Sequence, residues 1–212
     1  MGHQLGFPLF LELAESIADN KFVLGDRLVE VGFSGPTLEA ALSAIAMAQG
    51  ELGHARTLYN WTSKLQGKPI RDVRSQTGKA LNSLVKIDNW LELIASLYTV
   101  NIAHDLLLNS VLKARPDEAA ASIRKLVEEQ KEHMVYSREW VQQLLQDEGA
   151  IPGKFLQALS QVRGEVTDWL REIDCTHELV EVNYLKDTGL EEKFNKEVNL
   201  CLGEQGAASH VG

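Results

Sequence analysis

The sequence predicts an all-α bundle. Apolar residues recur at three- and four-residue spacing over long stretches, and strand signals are nearly absent. Four of the five prolines fall just before long helix-like patterns, where the first turn tolerates them.

The first helix is expected over about 8–31, opening at Pro8, and the second over about 37–66, after Pro36. The link GFSGP between them is short, which makes the two antiparallel neighbours. A longer polar stretch, about 67–79 with Pro69 in QGKPIRD, reads as a crossover. The third helix is expected over about 80–114 and the fourth over about 117–147. ARPDE, with Pro116, joins them as a second antiparallel pair. A fifth helix follows Pro152 over about 153–174, and a weaker sixth covers about 189–202. No repeat or linker divides the chain. The expectation is one domain, 1–212, with a core bundle at 8–147, C-terminal helices at 153–202 and a frayed tail at 203–212.

Composition narrows the function. A chain of 212 residues, 44% hydrophobic, can bury a core. Its formal charge of −9 argues against a nucleic-acid surface. Cys175 and Cys201 form no disulfide framework or zinc cluster and fit a reducing cytoplasm. Glu12 and Glu15 interrupt the apolar N-terminal run, which reads as mature structure. No 18-residue apolar stretch is evident, so no membrane span is expected.

The helix seams carry the functional argument. The first reads Ala14, Ile17, Lys21, Leu24, Leu28, Val31, and the second Ala41, Ala44, Ala48, Glu51, Ala55, Leu58. The third reads Leu84, Ile87, Leu91, Ile94, Tyr98, Asn101, Asp105, Leu108, Leu112. The fourth reads Ala119, Ile123, Leu126, Gln130, His133, Ser137, Trp140, Leu144. A polar residue breaks each stripe near its middle. Counted from the two links, Lys21, Glu51, Asn101 and Gln130 lie at depths that differ by only about 3 Å. They are expected to meet in one layer, with His54 and His133 one turn away.

This is the skeleton of a carboxylate-bridged two-metal bundle. In that arrangement two helices each supply a Glu and two supply Glu-x-x-His. Only Glu51 and His54 keep the full motif here. An ammonium cannot ligate iron, and neutral amides are poor substitutes for anionic oxygens. The favoured reading is a substituted site of Lys21, Glu51, His54, Asn101, Gln130 and His133, with no catalytic residue. Its bland counterpart has Lys21 reaching outward and Glu51 at the rim. Its metal-binding counterpart is a shifted set of Glu51, His54, Asp105, Glu129 and His133, with His104 nearby.

Two stretches, ADNKFVLGDRLVEVGFSGPTLEAALSAIAMAQGELGHARTLYNW and VEEQKEHMVYSREWVQQLL, resemble the PaaC-type subunits of bacterial phenylacetyl-CoA monooxygenase, the ring 1,2-epoxidase. The resemblance runs from about residue 14 to 202. It implies a ferritin-like fold with additional C-terminal helices. It also implies a structural role beside a PaaA-like catalytic subunit that holds di-iron and epoxidises the aryl-acyl-CoA ring. Lys21, Asn101 and Gln130 then fall where the catalytic pattern has carboxylates, and no cofactor is expected in this chain. A homodimer or hetero-oligomer is implied. The competing readings are a self-sufficient di-iron or di-manganese oxidase using the shifted set, and a stand-alone helical scaffold.

Other polar residues read as structural. Asp19 and Asn20 are expected to hydrogen-bond inside the bundle, and the cysteines lack an activating neighbour. His177 and His210 are expected to face solvent. REIDCTHELVEVN reads as a solvated acidic linker. No phosphate loop, dinucleotide fingerprint or Ser-His-Asp spacing is present.

Overall fold

The computed structural model describes residues 2–70, 72–114 and 121–208, with side chains from residue 6 onward except 122 and 204–208. Every regular element among them is helical. α1 (Gly2–Glu30) and α2 (Leu38–Leu65) are joined by a 3-10 turn at Gly32–Ser34. A loop and the short α3 (Asn82–Val85) lead to α4 (Trp90–Ala114), followed by α5 (Ala121–Gln146). Then come α6 (Ile151–Cys175), the short α7 (Glu178–Glu181) and α8 (Leu190–Ala208).

α1 and α2 pack most closely, and the sequence explains why. Thr37 caps α2, its hydroxyl accepting from the Ala40 amide at 3.1 Å. Ala44, Ala48 and Ala55 are buried along the contact. A Cβ on Gly25 would lie 2.7 Å from Leu52 Cγ, so only glycine lets the helices approach this far. α4 and α5 form the second pair. α1 also meets α4, and α2 also meets α5, which closes the four long helices into a bundle. α6 and α8 cover the outer side of α4.

Several boundaries differ from expectation. α1 begins at Gly2, so Pro8 lies inside it rather than at its start. Packing carries the helix past the proline: Phe10 stacks on Tyr184 at 4.4 Å and meets Trp61 edge-on at 5.4 Å. The third helix is not continuous. It breaks after α3, and α4 is started afresh by a local cap. Asn89 Oδ1 accepts from the Glu92 amide at 3.1 Å, while the Glu92 carboxylate accepts from the Asp88 amide at 3.2 Å. Asn89-x-x-Glu92 was a readable start signal. Pro116 and Ala119 lie outside the described residues.

The acidic segment after α6 is no solvated linker. Leu179 and Leu185 are buried, and the Asn183 amide donates to the Ala114 carbonyl at 2.7 Å. α8 continues to Ala208, beyond the expected end near 202, through residues that include good helix formers. His210 lies outside the described residues.

α4 also corrects the hydropathy reading. By length and composition it is apolar enough to cross a membrane, but 78% of its most apolar window is buried inside the protein. A helix packed on all sides by α1, α5, α6 and α8 is apolar all round for that reason alone.

Candidate functional site

Midway along the bundle, α1, α2, α4 and α5 place polar side chains in one layer. Lys21, Glu51, Asn101 and Gln130 have no exposed surface. The Lys21 ammonium donates to Glu51 Oε2 at 2.9 Å and to Gln130 Oε1 at 2.5 Å. The Gln130 amide donates to Asn101 Oδ1 at 2.6 Å and to the Asn101 carbonyl at 3.2 Å. His133 Nδ1 donates to the other Glu51 oxygen, Oε1, at 2.7 Å. The layer that seam spacing predicts is therefore assembled, and Lys21 points inward.

His54 closes the layer towards the surface. Its ring lies 5.4 Å from that of His133, centroid to centroid. Its Nε2 is 3.1 Å from the half-exposed Glu129 carboxylate, which Lys125 also approaches at 3.3 Å. Backbone shape makes room for this pairing. A Cβ on Gly50 would lie 2.7 Å from His133 Nε2, so the glycine before Glu51 is what admits the second imidazole.

Burial pushes the Glu51 carboxyl up, but Lys21, the His133 hydrogen bond and the neighbouring imidazoles together hold it well below the usual carboxylate range. His54 is lowered to about 4, by burial first and the Lys21 charge second. His104, entirely buried, is held well below the ordinary histidine value, again by burial and then Lys21. The Glu129 carboxyl is lowered, chiefly by its hydrogen bond with His54. The layer thus holds an ionised Glu51 between one ammonium and imidazoles.

Some polar atoms around the layer have no hydrogen-bond partner: His54 Nδ1, Asn101 Nδ2 and both nitrogens of His104. The His104 ring instead sits edge-on to Trp169 at 6.1 Å.

The shifted metal set is not assembled as expected. Glu129 joins it only through His54. Asp105 faces away, towards Tyr98, Lys131, Arg138 and Glu197, where burial raises its carboxyl pKa. The angular step from Asn101 to the next turn falls to His104, not Asp105, which explains the error. Glu51, His54 and His133 do converge: one ligand atom from each lies within 4.8 Å of the others.

Asp19 and Asn20 serve the crossover. Asp19 accepts from the Tyr59 hydroxyl, from the Thr77 amide and hydroxyl at 2.8 Å each, and from the Lys79 amide at 2.7 Å. Asn20 Oδ1 accepts from the Leu81 amide at 2.9 Å. Sequence reasoning missed Tyr59, Thr77 and Gly50, because nothing local marks a partner tens of residues away. Cys175 is exposed and Cys201 buried, and His177 faces solvent.

A carboxylate-bridged two-metal centre needs four carboxylates and two histidines. Its donor set does not fit here. The layer holds one carboxylate, and an ammonium and a bonded pair of amides take up the space beside it.

The family described as phenylacetic acid catabolic protein matches the chain over residues 8–208. The C subunit of 1,2-phenylacetyl-CoA epoxidase from Escherichia coli (strain K12) is 26% identical over 152 residues, which cover 69% of this chain. The matched part spans 61% of that relative's length.

Proposed function

Because the chain belongs to the phenylacetic acid catabolic protein family, we propose that it is a PaaC-like, non-catalytic subunit of a multicomponent oxygenase acting on phenylacetyl-CoA or a related aryl-acyl-CoA. One observation carries the non-catalytic assignment: the Lys21 ammonium is bonded to Glu51 and Gln130 at the centre of the bundle. Positive charge that metal ions would supply in a catalytic relative comes here from a side chain. Asn101 and Gln130 complete the substitution by bonding to each other instead of offering anionic oxygens. The chain works in the cytoplasm beside a PaaA-like subunit that holds di-iron, and it pairs with that subunit and with a second copy of itself. Aromatic-ring epoxidation, with its dioxygen and electrons, belongs to the partner. This chain contributes a folded surface that positions it.

The test is co-expression with the catalytic subunit. The two chains are expected to co-purify, and epoxidation of phenylacetyl-CoA is expected to need both. Lys21→Glu in this chain should leave the partner's iron content unchanged. Full epoxidation by the catalytic subunit alone, or two iron atoms per chain in this protein purified by itself, would overturn the assignment.

A further inference from the structure

The outer face of α2 lacks the charge that a solvated helix carries. From Ala40 to Ala55 its only ionisable residues are Glu51 and His54, and both are buried. Leu42, Ala46, Gln49 and Gly53 are the exposed residues of that span, so the outward side is uncharged for about four turns. α5 shows the ordinary case: Arg124, Lys125, Glu128, Lys131, Glu132 and Glu139 are exposed on it. α4 shows the other case, apolar all round and covered by α1, α5, α6 and α8. α2 has a face of the covered kind without the cover.

The pattern along that face selects what covers it. Leu42, Ala46, Gln49 and Gly53 are spaced four, three and four residues apart, the seam spacing of two packed helices. Alanine and glycine on the seam let a second helix approach to about 8 Å between axes. The two ends of the seam are opposites. Its start is large and acidic, with Leu38 71% exposed, Leu42 58% exposed and Glu39 beside them. Its end is small and basic, with Gly53 and then the exposed Arg56. A helix graded in this way is complementary to an antiparallel copy of itself. With a two-fold axis passing between Met47 and Ala48, Leu42 of one copy lies level with Gly53 of the other, where a Cβ would meet nothing within 4 Å. Ala46 lies level with Gln49, and Glu39 with Arg56. A parallel copy would instead set Glu39 level with Glu39.

We infer that α2 packs antiparallel on α2 of a second copy of this chain, along Leu42, Ala46, Gln49 and Gly53, in a two-fold dimer with the same patch on both sides. Phe33, 70% exposed on the link before α2, extends the contact at each end. The face serves the self-pairing proposed above and rests on that pairing. The buried layer around Lys21 and Glu51 lies on the opposite side of α2 and is untouched by it.

The experiment uses the full chain, with light scattering and sedimentation across micromolar concentrations. A mass twice 23.5 kDa is expected. Ala46→Arg alters an exposed residue, so its circular dichroism should match wild type. It places two like charges at the centre of the contact and should weaken the dimer at least about 100-fold. Glu39→Lys and Arg56→Glu should each weaken it about 3–10-fold, and the chain carrying both should return to wild-type affinity, because the charges are exchanged across the two-fold axis. A dimer unchanged in Ala46→Arg would overturn the inference and leave self-pairing to another face. No recovery in the double exchange would overturn the antiparallel register. A wild-type chain that stays monomeric would overturn both the face and the self-pairing. Loss of co-purification with the catalytic subunit in Ala46→Arg, with the homodimer absent or intact, would give the face to that subunit and overturn the inference.

Discussion

Asp19 and Glu51 are both carboxylates without exposed surface, and they are satisfied in opposite ways. Asp19 is held by neutral donors: two backbone amides, a threonine hydroxyl and a tyrosine hydroxyl. All of them tie the 66–81 loop or α2 to α1. Glu51 is held by an ammonium and an imidazole, and the atoms around it include four without partners. Saturation by neutral donors is what a structural pin requires. Charge pairing at the centre of the bundle is the feature on which the proposed non-catalytic role rests. Two residues apart on α1, Asp19 and Lys21 therefore do unrelated jobs.

The sharpest way to break the contrast is at Lys21. Lys21→Met leaves Glu51 as a lone buried charge and is expected to destabilise the protein by about 3–5 kcal/mol in urea denaturation. Adding Glu51→Gln should recover much of the loss, with a coupling above about 1 kcal/mol. Additive effects within about 0.5 kcal/mol would mean the two groups do not depend on each other. Asp19→Ala comes next. It strands buried donors and is expected to cost about 3 kcal/mol. It should also expose the 67–79 loop to protease, which Lys21→Met should not do; equal cleavage in both variants would erase the distinction.

A smaller effect follows pH. The folded-state pKa of His104 lies below its ordinary value of 6.5, so its neutral form is the folded one. The stability it allows is complete above pH 6.5 and is lost as pH falls below it. Between pH 7.5 and 5.5 stability is expected to decline for this reason, and His104→Phe should flatten that decline. An unchanged slope in the variant would show that His104 is solvated. The smallest contrast lies within one helix. A methyl added at Gly53 would meet nothing within 4 Å, so Gly53→Ala should stabilise α2 by about 0.5–1 kcal/mol. Gly50→Ala drives its methyl into His133 and should instead destabilise by about 1 kcal/mol, read from the same denaturation curves.

Much of this site was legible from spacing. Lys21, Glu51 and Gln130 interrupt apolar stripes at equal depth, and helix rise is regular enough for depth to be counted from a link. Asp105 was misplaced because the count fixes height along a helix better than angle around it. On α4, which is buried on nearly every side, an apolar stripe gives no angular reference. The break before Trp90 was also readable, from Asn89 and Glu92, but the apolar run across it hid the cap.

The sequence by itself determined the helices, their antiparallel pairing and the polar layer, because periodicity and link length act over neighbouring residues. It also carried the family resemblance, through motifs such as Gly-His-Ala-Arg. Only the tertiary structure decided that Asp19 pins the crossover through Thr77 and Lys79, that Glu129 orients His54, and that Gly50 admits His133. Those contacts join residues far apart in the chain, and one of them depends on a missing side chain. Their partners are chosen by where packed helices bring the chain together in space, and no local pattern encodes that choice.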